Sequence, residues 1–313
     1  MKRPSKASLI ASLQDYLKTN KKRRPKTLEK WEFDSEEAYF KYVGYKPRKK
    51  TVVPAPSKKV KEEVKTKPEP VSKKKVSSKA ATILDYVIAF DCTGSMASYI
   101  ADVRSRVKDM VHEILSSKGD VQLKIVSFGD YCDMPSKRVF EEAYQECELT
   151  SNANDLVNFV NNSKNTGGGD NDEFYELVMQ KIRTETKWRK DSTKVIMLIG
   201  DAHPHEVGYR YGGTIYKVDW KEELKLCKEM GIQFDTLRIT TRGREAEFYA
   251  TLSRETNGVC IDYQKSKNLS HIIETATYAR TDSAKYDDKV KFATRSGDSA
   301  LLGAVKQFGK LMD

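Results

Sequence analysis

The sequence predicts an α/β fold: a doubly wound, mostly parallel six-stranded sheet with one antiparallel edge strand and helices on both faces. A small helical N-terminal module on a disordered linker precedes it. Three observations carry this prediction. From residue 81 onward, short apolar runs rich in β-branched residues alternate with amphipathic stretches, the pattern of parallel strands buried on both faces by helices. Loops bearing carboxylates, hydroxyls and glycines border that pattern. Charge is segregated as well: residues 1–80 hold 24 Lys and Arg against 9 Asp and Glu, and the remainder 32 against 36, so the excess behind the net +11 lies in the first quarter.

Residues 1–46 read as a small basic helical module. Leu9, Ile10, Leu13, Tyr16 and Leu17 fall at helical spacing, and Asn20 with the Lys21–Arg24 cluster ends that helix. Ser35 is a good N-cap for a second helix, with Glu36 and Glu37 in its first turn. Residues 47–80 are Lys, Pro, Val, Ser and Glu with almost no aromatics. Such a segment buries too little surface to offset its ordering entropy and reads as a disordered linker.

The α/β domain is expected over residues 81–282. Strands are predicted at 83–90, 121–128, 194–199, 232–238 and 258–262, with a polar antiparallel edge strand near 138–148. Helices are predicted at 97–117, 152–162, 172–186, 219–230, 244–255 and 267–279. Residues 283–313 read as a C-terminal extension, a Lys-rich stretch followed by a helix from Ser299 to Met312.

No segment approaches the roughly 18 consecutive apolar residues of a membrane span. The opening Met1-Lys2-Arg3-Pro4 lacks the apolar region of a secretory signal. Cys92, Cys132, Cys147, Cys227 and Cys260 are few, odd in number and scattered, which fits unpaired thiols in a reducing compartment. The expected location is cytoplasmic or nuclear, and not secreted.

The most informative stretch is Asp91-Cys92-Thr93-Gly94-Ser95-Met96, directly after the apolar run 83–90. A carboxylate and two hydroxyls at alternate positions of an extended-to-turn segment can aim three oxygens at one point. Oxygens of that kind suit a small hard cation that keeps waters and an open position. Thr166-Gly167-Gly168-Gly169-Asp170 adds a hydroxyl in a glycine loop, and Asp201 follows the apolar run 194–199. Open parallel sheets bind ligands beyond the carboxyl ends of their strands, where strand order reverses. Competing readings are plain. Ser95 is an ordinary helix cap, and Gly167–Gly169 is a phosphate cradle of a kind, although neither GxxxxGK[ST] nor GxGxxG occurs. Asp170, Asp172 and Glu173 suit a helix N-terminus. His203-Pro204-His205 with Cys132 is a weak zinc signal, read here as a rim loop.

Asp91-x-Thr93-x-Ser95, Thr166 and Asp201, in that order, resemble the three loops of the von Willebrand factor A family, over roughly residues 81–280. The wording is most similar to the A domains found beside alpha-kinases. No kinase domain follows, so the resemblance carries no kinase activity. It implies an intact metal-ion-dependent adhesion site: Thr93 and Ser95 ligating directly, Thr166 directly or through water, Asp91 and Asp201 mainly through waters. Asp130, Asp170 and His205 would lie in its second shell or on its rim. The expected ion is Mg²⁺, with Mn²⁺ or Ca²⁺ as alternatives, and the expected partner is a protein presenting an acidic residue.

Two function classes follow. One is a metal-dependent protein–protein interaction adaptor. The other is a nucleic-acid-associated factor in which residues 1–80 meet phosphates and bases and the A-type domain is a scaffold. A regulatory subunit of a separately encoded kinase or ATPase is a further alternative. No catalytic constellation is recognised, neither GxSxG nor HExxH nor a nucleophile–base pair, so no enzyme activity is expected.

Overall fold

The computed structural model describes residues 82–134, 143–239, 243–263 and 268–312. The expected helical module at 1–46 and the linker at 47–80 lie outside the described residues, as does part of the region expected as an edge strand.

Strand β1 (Ile83–Asp91) is followed by helix α1 (Ala97–Leu115), β2 (Asp120–Phe128), β3 (Tyr144–Glu146), α2 (Ala153–Asn162), β4 (Asp172–Glu173), α3 (Tyr175–Glu185) and β5 (Thr193–Gly200). Then come β6 (His203–Pro204), the hairpin β7 (Arg210–Tyr211) and β8 (Thr214–Ile215), α4 (Trp220–Glu229), β9 (Ile232–Arg238), α5 (Gly243–Glu255) and β10 (Cys260–Asp262). Helices α6 (Leu269–Thr281), α7 (Ser283–Arg295) and α8 (Ser299–Gln307) complete the described chain, with a 3₁₀ turn at Phe308–Leu311. The main sheet has the order β10-β9-β5-β1-β2-β3, parallel throughout except for β3, which pairs antiparallel with β2.

The strands are buried on both sides because their side chains alternate between two apolar layers. From β1, Leu84, Tyr86, Ile88 and Phe90 pack with α1, α2 and α6, while Val87 and Ala89 pack with α3, α4 and α5. From β5, Val195, Met197 and Ile199 join the first layer, Ile196 and Leu198 the second. Each buried Val, Leu, Ile, Met or Phe side chain among these contributes roughly 1.5–3 kcal/mol of burial free energy. Two carboxylates buried in the sheet are neutralised by arginines. Asp85 accepts from Arg189 Nε at 2.6 Å, and Asp235 accepts from both terminal nitrogens of Arg280 at 2.7 and 2.9 Å.

Three differences from the expected elements have local causes. The helix expected at 172–186 begins at Tyr175, because Asp172 and Glu173 pair as a short strand with His203 and Pro204. The stretch read only as Lys-rich before Ser299 contains helix α7, capped by the Asp282 side chain on the Lys285 amide. Tyr286, Ala293, Leu301, Ala304, Val305 and Phe308 of the C-terminal helices bury in the same apolar layer as the sheet. Among the described residues, no helix is long and apolar enough to cross a membrane.

Candidate metal centre

Strand order reverses between β1 and β5, and their carboxyl ends carry Asp91 and, one residue beyond, Asp201. The chain leaves β1 through a 3₁₀ turn at Gly94–Met96 before α1. Neither that turn nor α1 has a side-chain cap, so Ser95 is not a helix cap. It is exposed and its hydroxyl meets the Asp201 carboxylate. Asp91 is fully buried: one carboxylate oxygen accepts from the Thr93 amide at 2.9 Å and hydroxyl at 2.6 Å, the other from the Tyr175 hydroxyl at 2.6 Å. Tyr249 donates in turn to Tyr175 at 2.8 Å. Gly200 is what lets those rings pass, since a Cβ there would collide with both tyrosine hydroxyls.

The glycine loop is held from below by Asp133. Its carboxylate accepts from the amides of Gly167 at 2.9 Å and Gly168 at 3.0 Å, and also from the Asp130 amide at 2.9 Å. The donors a phosphate would need from these two glycines are therefore already engaged by a carboxylate. Thr166 donates its amide to the Cys92 carbonyl at 3.0 Å. Its hydroxyl is buried against Gly129 without a hydrogen-bond partner.

These segments enclose a pocket of about 490 Å³ lined by Thr93, Ser95, Asp170, Glu173 and Asp201 together with Gly94 and the glycine loop. Glu173 has a larger part than its sequence position suggests. Its Oε2 is buried without a hydrogen-bond partner. Burial, reinforced by the charges of Asp91, Asp130, Asp133 and Asp170, pushes its carboxyl up to about 10. Burial also raises Asp91 to about 6, against the hydrogen bonds from Thr93 and Tyr175. Asp201 is raised by burial, with the Ser95 hydroxyl opposing. Among the described residues, no Lys or Arg forms an ion pair with Asp91, Glu173 or Asp201, in contrast to Asp85 and Asp235. The orphaned Glu173 oxygen and the unneutralised carboxylates beside the Thr93 and Ser95 hydroxyls form an all-oxygen donor set that fits a hard divalent cation, whereas Thr166, expected as a ligand, does not line the pocket.

Asp130, Asp170 and His205 do come together, at the flank of the glycine loop, with candidate ligand atoms within 4.8 Å of one another. His205 Nε2 lies 2.5 Å from Asp130 Oδ1. Burial would lower the His205 imidazole, but the hydrogen bond and charge of Asp130 outweigh it and the net shift is upward. His203 diverges: its Nδ1 lies 2.7 Å from the Pro204 carbonyl oxygen and its ring packs on Trp220 and Phe248. Sequence reasoning missed Asp133, Tyr175 and Tyr249, and read Glu173 as a helix-end charge. The one available signal was the run Asp172-Glu173-Phe174-Tyr175, too apolar at its end for a solvated helix start.

No family model matches the chain. It is 27% identical over 198 residues to "Alpha-protein kinase vwkA" of Dictyostelium discoideum, covering 61% of this chain and 29% of that protein. The chain thus spans less than a third of that relative's length. Similar solved structures include the pilus adhesin SpaC from Lactobacillus rhamnosus GG, with 15% identity, a TM-score of 0.48, and coverage of 67% of this chain and 31% of that one. Proximal thread matrix protein 1 from the mussel byssus has 16% identity, a TM-score of 0.48, and coverage of 64% and 46%. A second structure of that byssus protein, with a zinc-occupied MIDAS motif, has 17% identity, a TM-score of 0.44, and coverage of 63% and 45%.

Proposed function

We propose that residues 83–281 form a von Willebrand factor A-type domain and that the protein is a metal-dependent protein–protein interaction adaptor. The observation that carries this reading is the set of buried, unneutralised carboxylates at the switch point of the sheet, beside exposed Ser95 and the pocket-lining Thr93. Thr93, Ser95, Asp201 and Glu173 would hold the cation, with Thr166 beside them; Mg²⁺ suits this set best, and Mn²⁺ next. Asp91 acts through Thr93, whose hydroxyl it orients while leaving that oxygen's lone pairs for the ion. A cation bound mostly by neutral hydroxyls stays electrophilic, and would accept a carboxylate from an acidic residue of a partner protein. Five free cysteines in the described residues support a reducing compartment.

The test is affinity capture from native extract with the full chain, comparing Mg²⁺ with EDTA and wild type with Ser95→Ala. Ser95 is chosen because it is exposed and removable without disturbing the buried Asp91 network. Partners lost under both conditions are the expected result. Partners retained through both would overturn the reading. The charge of residues 1–80 favours one second reading, nucleic-acid binding. Its signature is capture that survives EDTA and falls steeply with salt.

A further inference from the structure

We propose that Asp130, Asp170 and His205 form a second metal site, selective for a zinc-class transition-metal ion and adjoining the hard-cation pocket, whose rim shares Asp170. The two donor sets differ in kind. The pocket offers hydroxyl and carboxylate oxygens, whereas the second cluster offers an imidazole nitrogen with two carboxylates, a set that suits zinc and its neighbours.

The geometry is largely built. The three ligand atoms lie within 4.8 Å of one another. Zn–N and Zn–O bonds of about 2.0–2.2 Å in a tetrahedral site put donors roughly 3.4 Å apart. Two adjustments reach that spacing: the ion displaces the proton between His205 Nε2 and Asp130 Oδ1, which lie 2.5 Å apart and must part by roughly 0.9 Å, and Asp170, exposed on the glycine loop, moves in. Tyr209 orients two of the three ligands. Its ring stacks on the His205 imidazole with centroids 3.6 Å apart, and its hydroxyl donates to Asp170 Oδ2 at 2.8 Å. The His205 amide is tied to Glu176 Oε2 at 3.2 Å, and Tyr131 donates to the other oxygen of Glu176 at 2.8 Å. Such outer contacts are the usual support of a metal-binding histidine. The Cys132 thiol hydrogen-bonds Asp130 and its sulfur packs against Gly169.

Charge gives an independent argument. Asp91, Asp130, Asp133, Asp170 and Asp201 gather around this corner of the molecule. Among the described residues, no Lys or Arg pairs with any of them, and their one ion-pair partner is His205, which is charged only when protonated. The buried Glu173 Oε2 has no hydrogen-bond partner. One divalent ion in the pocket leaves most of that charge uncompensated, and uncompensated buried charge is costly.

The test uses the metal-stripped full chain, with Zn²⁺ titrated calorimetrically in excess Mg²⁺ and Co²⁺ absorption as the spectroscopic readout. Ser95→Ala blocks the first pocket, and Asp170→Asn, an exposed and nearly isosteric change, removes a ligand from the second. Ser95→Ala is expected to keep a Mg²⁺-resistant Zn²⁺ site and a low-symmetry Co²⁺ spectrum. Ser95→Ala with Asp170→Asn is expected to lose at least about tenfold in Zn²⁺ affinity, with thermal stability of the metal-free protein unchanged. Three results would overturn the proposal: no Zn²⁺ bound by Ser95→Ala, Zn²⁺ displaced by Mg²⁺, or equal affinity with and without Asp170→Asn. Failure of the adaptor reading is a separate result, since it shows as Mg²⁺ binding that ignores Ser95→Ala.

Discussion

Glu173 and Asp91 are buried carboxylates that differ in their partners. Asp91 is met by three hydrogen bonds, while Glu173 has an unmet oxygen and four acidic neighbours. Folding raises Glu173 from near 4.5 to about 10, so the folded protein keeps a proton that the unfolded chain releases. Its contribution to stability is complete below the unfolded value and is lost as pH rises toward the folded one. The metal-free protein should therefore lose thermal stability between about pH 5.5 and pH 8.5, and Glu173→Gln should flatten that fall. A thermal melt series checks this, and an unchanged slope in the variant would contradict it. Tyr175→Phe removes the hydroxyl donated to Asp91 and should cost about 1.5–3 kcal/mol by denaturant titration. It should also weaken Mg²⁺ binding, because Asp91 then holds Thr93 less firmly. Asp91, Thr93, Ser95 and Asp201 were legible as residues because all four sit at strand ends. The role of Glu173 was not, because it depends on a strand of two residues.

The predicted strands at 83–90, 121–128, 194–199 and 232–238 correspond to β1, β2, β5 and β9 within a residue or so at each end. Their apolar runs are long and buried on both faces, which makes the periodicity unambiguous. Helix α7 was not read because only Tyr286 and Ala293 are buried on it, and lysines and aspartates occupy much of the rest. The pair His203 and His205 shows a limit of alternation. Residues two apart share a face only while a strand continues, and β6 ends at Pro204. Between elements, the Arg280–Asp235 pair ties α6 to β9, with the arginine and the aspartate both buried. Arg280→Met should cost about 3–5 kcal/mol, because it leaves Asp235 charged and unpaired. Asp235→Asn combined with Arg280→Met should recover part of that loss, and a double-mutant cycle reads the difference.

The sheet separates its charges along its length. Asp85, near the start of β1, is closed by Arg189, whereas Asp91 at its carboxyl end opens on a rim without Lys or Arg partners among the described residues. That asymmetry makes one edge structural and the other a site for cations. The order of motifs along the chain made the site legible, since loops after neighbouring strands of a doubly wound sheet converge at its switch point. The side-chain cluster of Asp130, Asp170 and His205 was named residue by residue but could not be assembled, because nothing in local spacing brings positions 75 residues apart into contact. Removing residues 282–313 should cost more than about 3 kcal/mol, since Leu301, Val305 and Phe308 are fully buried in the sheet's own apolar layer. Urea titration of the shortened chain checks this. The most direct test of the central claim is calorimetric titration of Mn²⁺, as a Mg²⁺ surrogate, into wild type and Ser95→Ala. Saturable binding by wild type that is lost or strongly weakened in Ser95→Ala is the expected result. Equal binding by both proteins would contradict a cation at the carboxyl edge of β1 and β5.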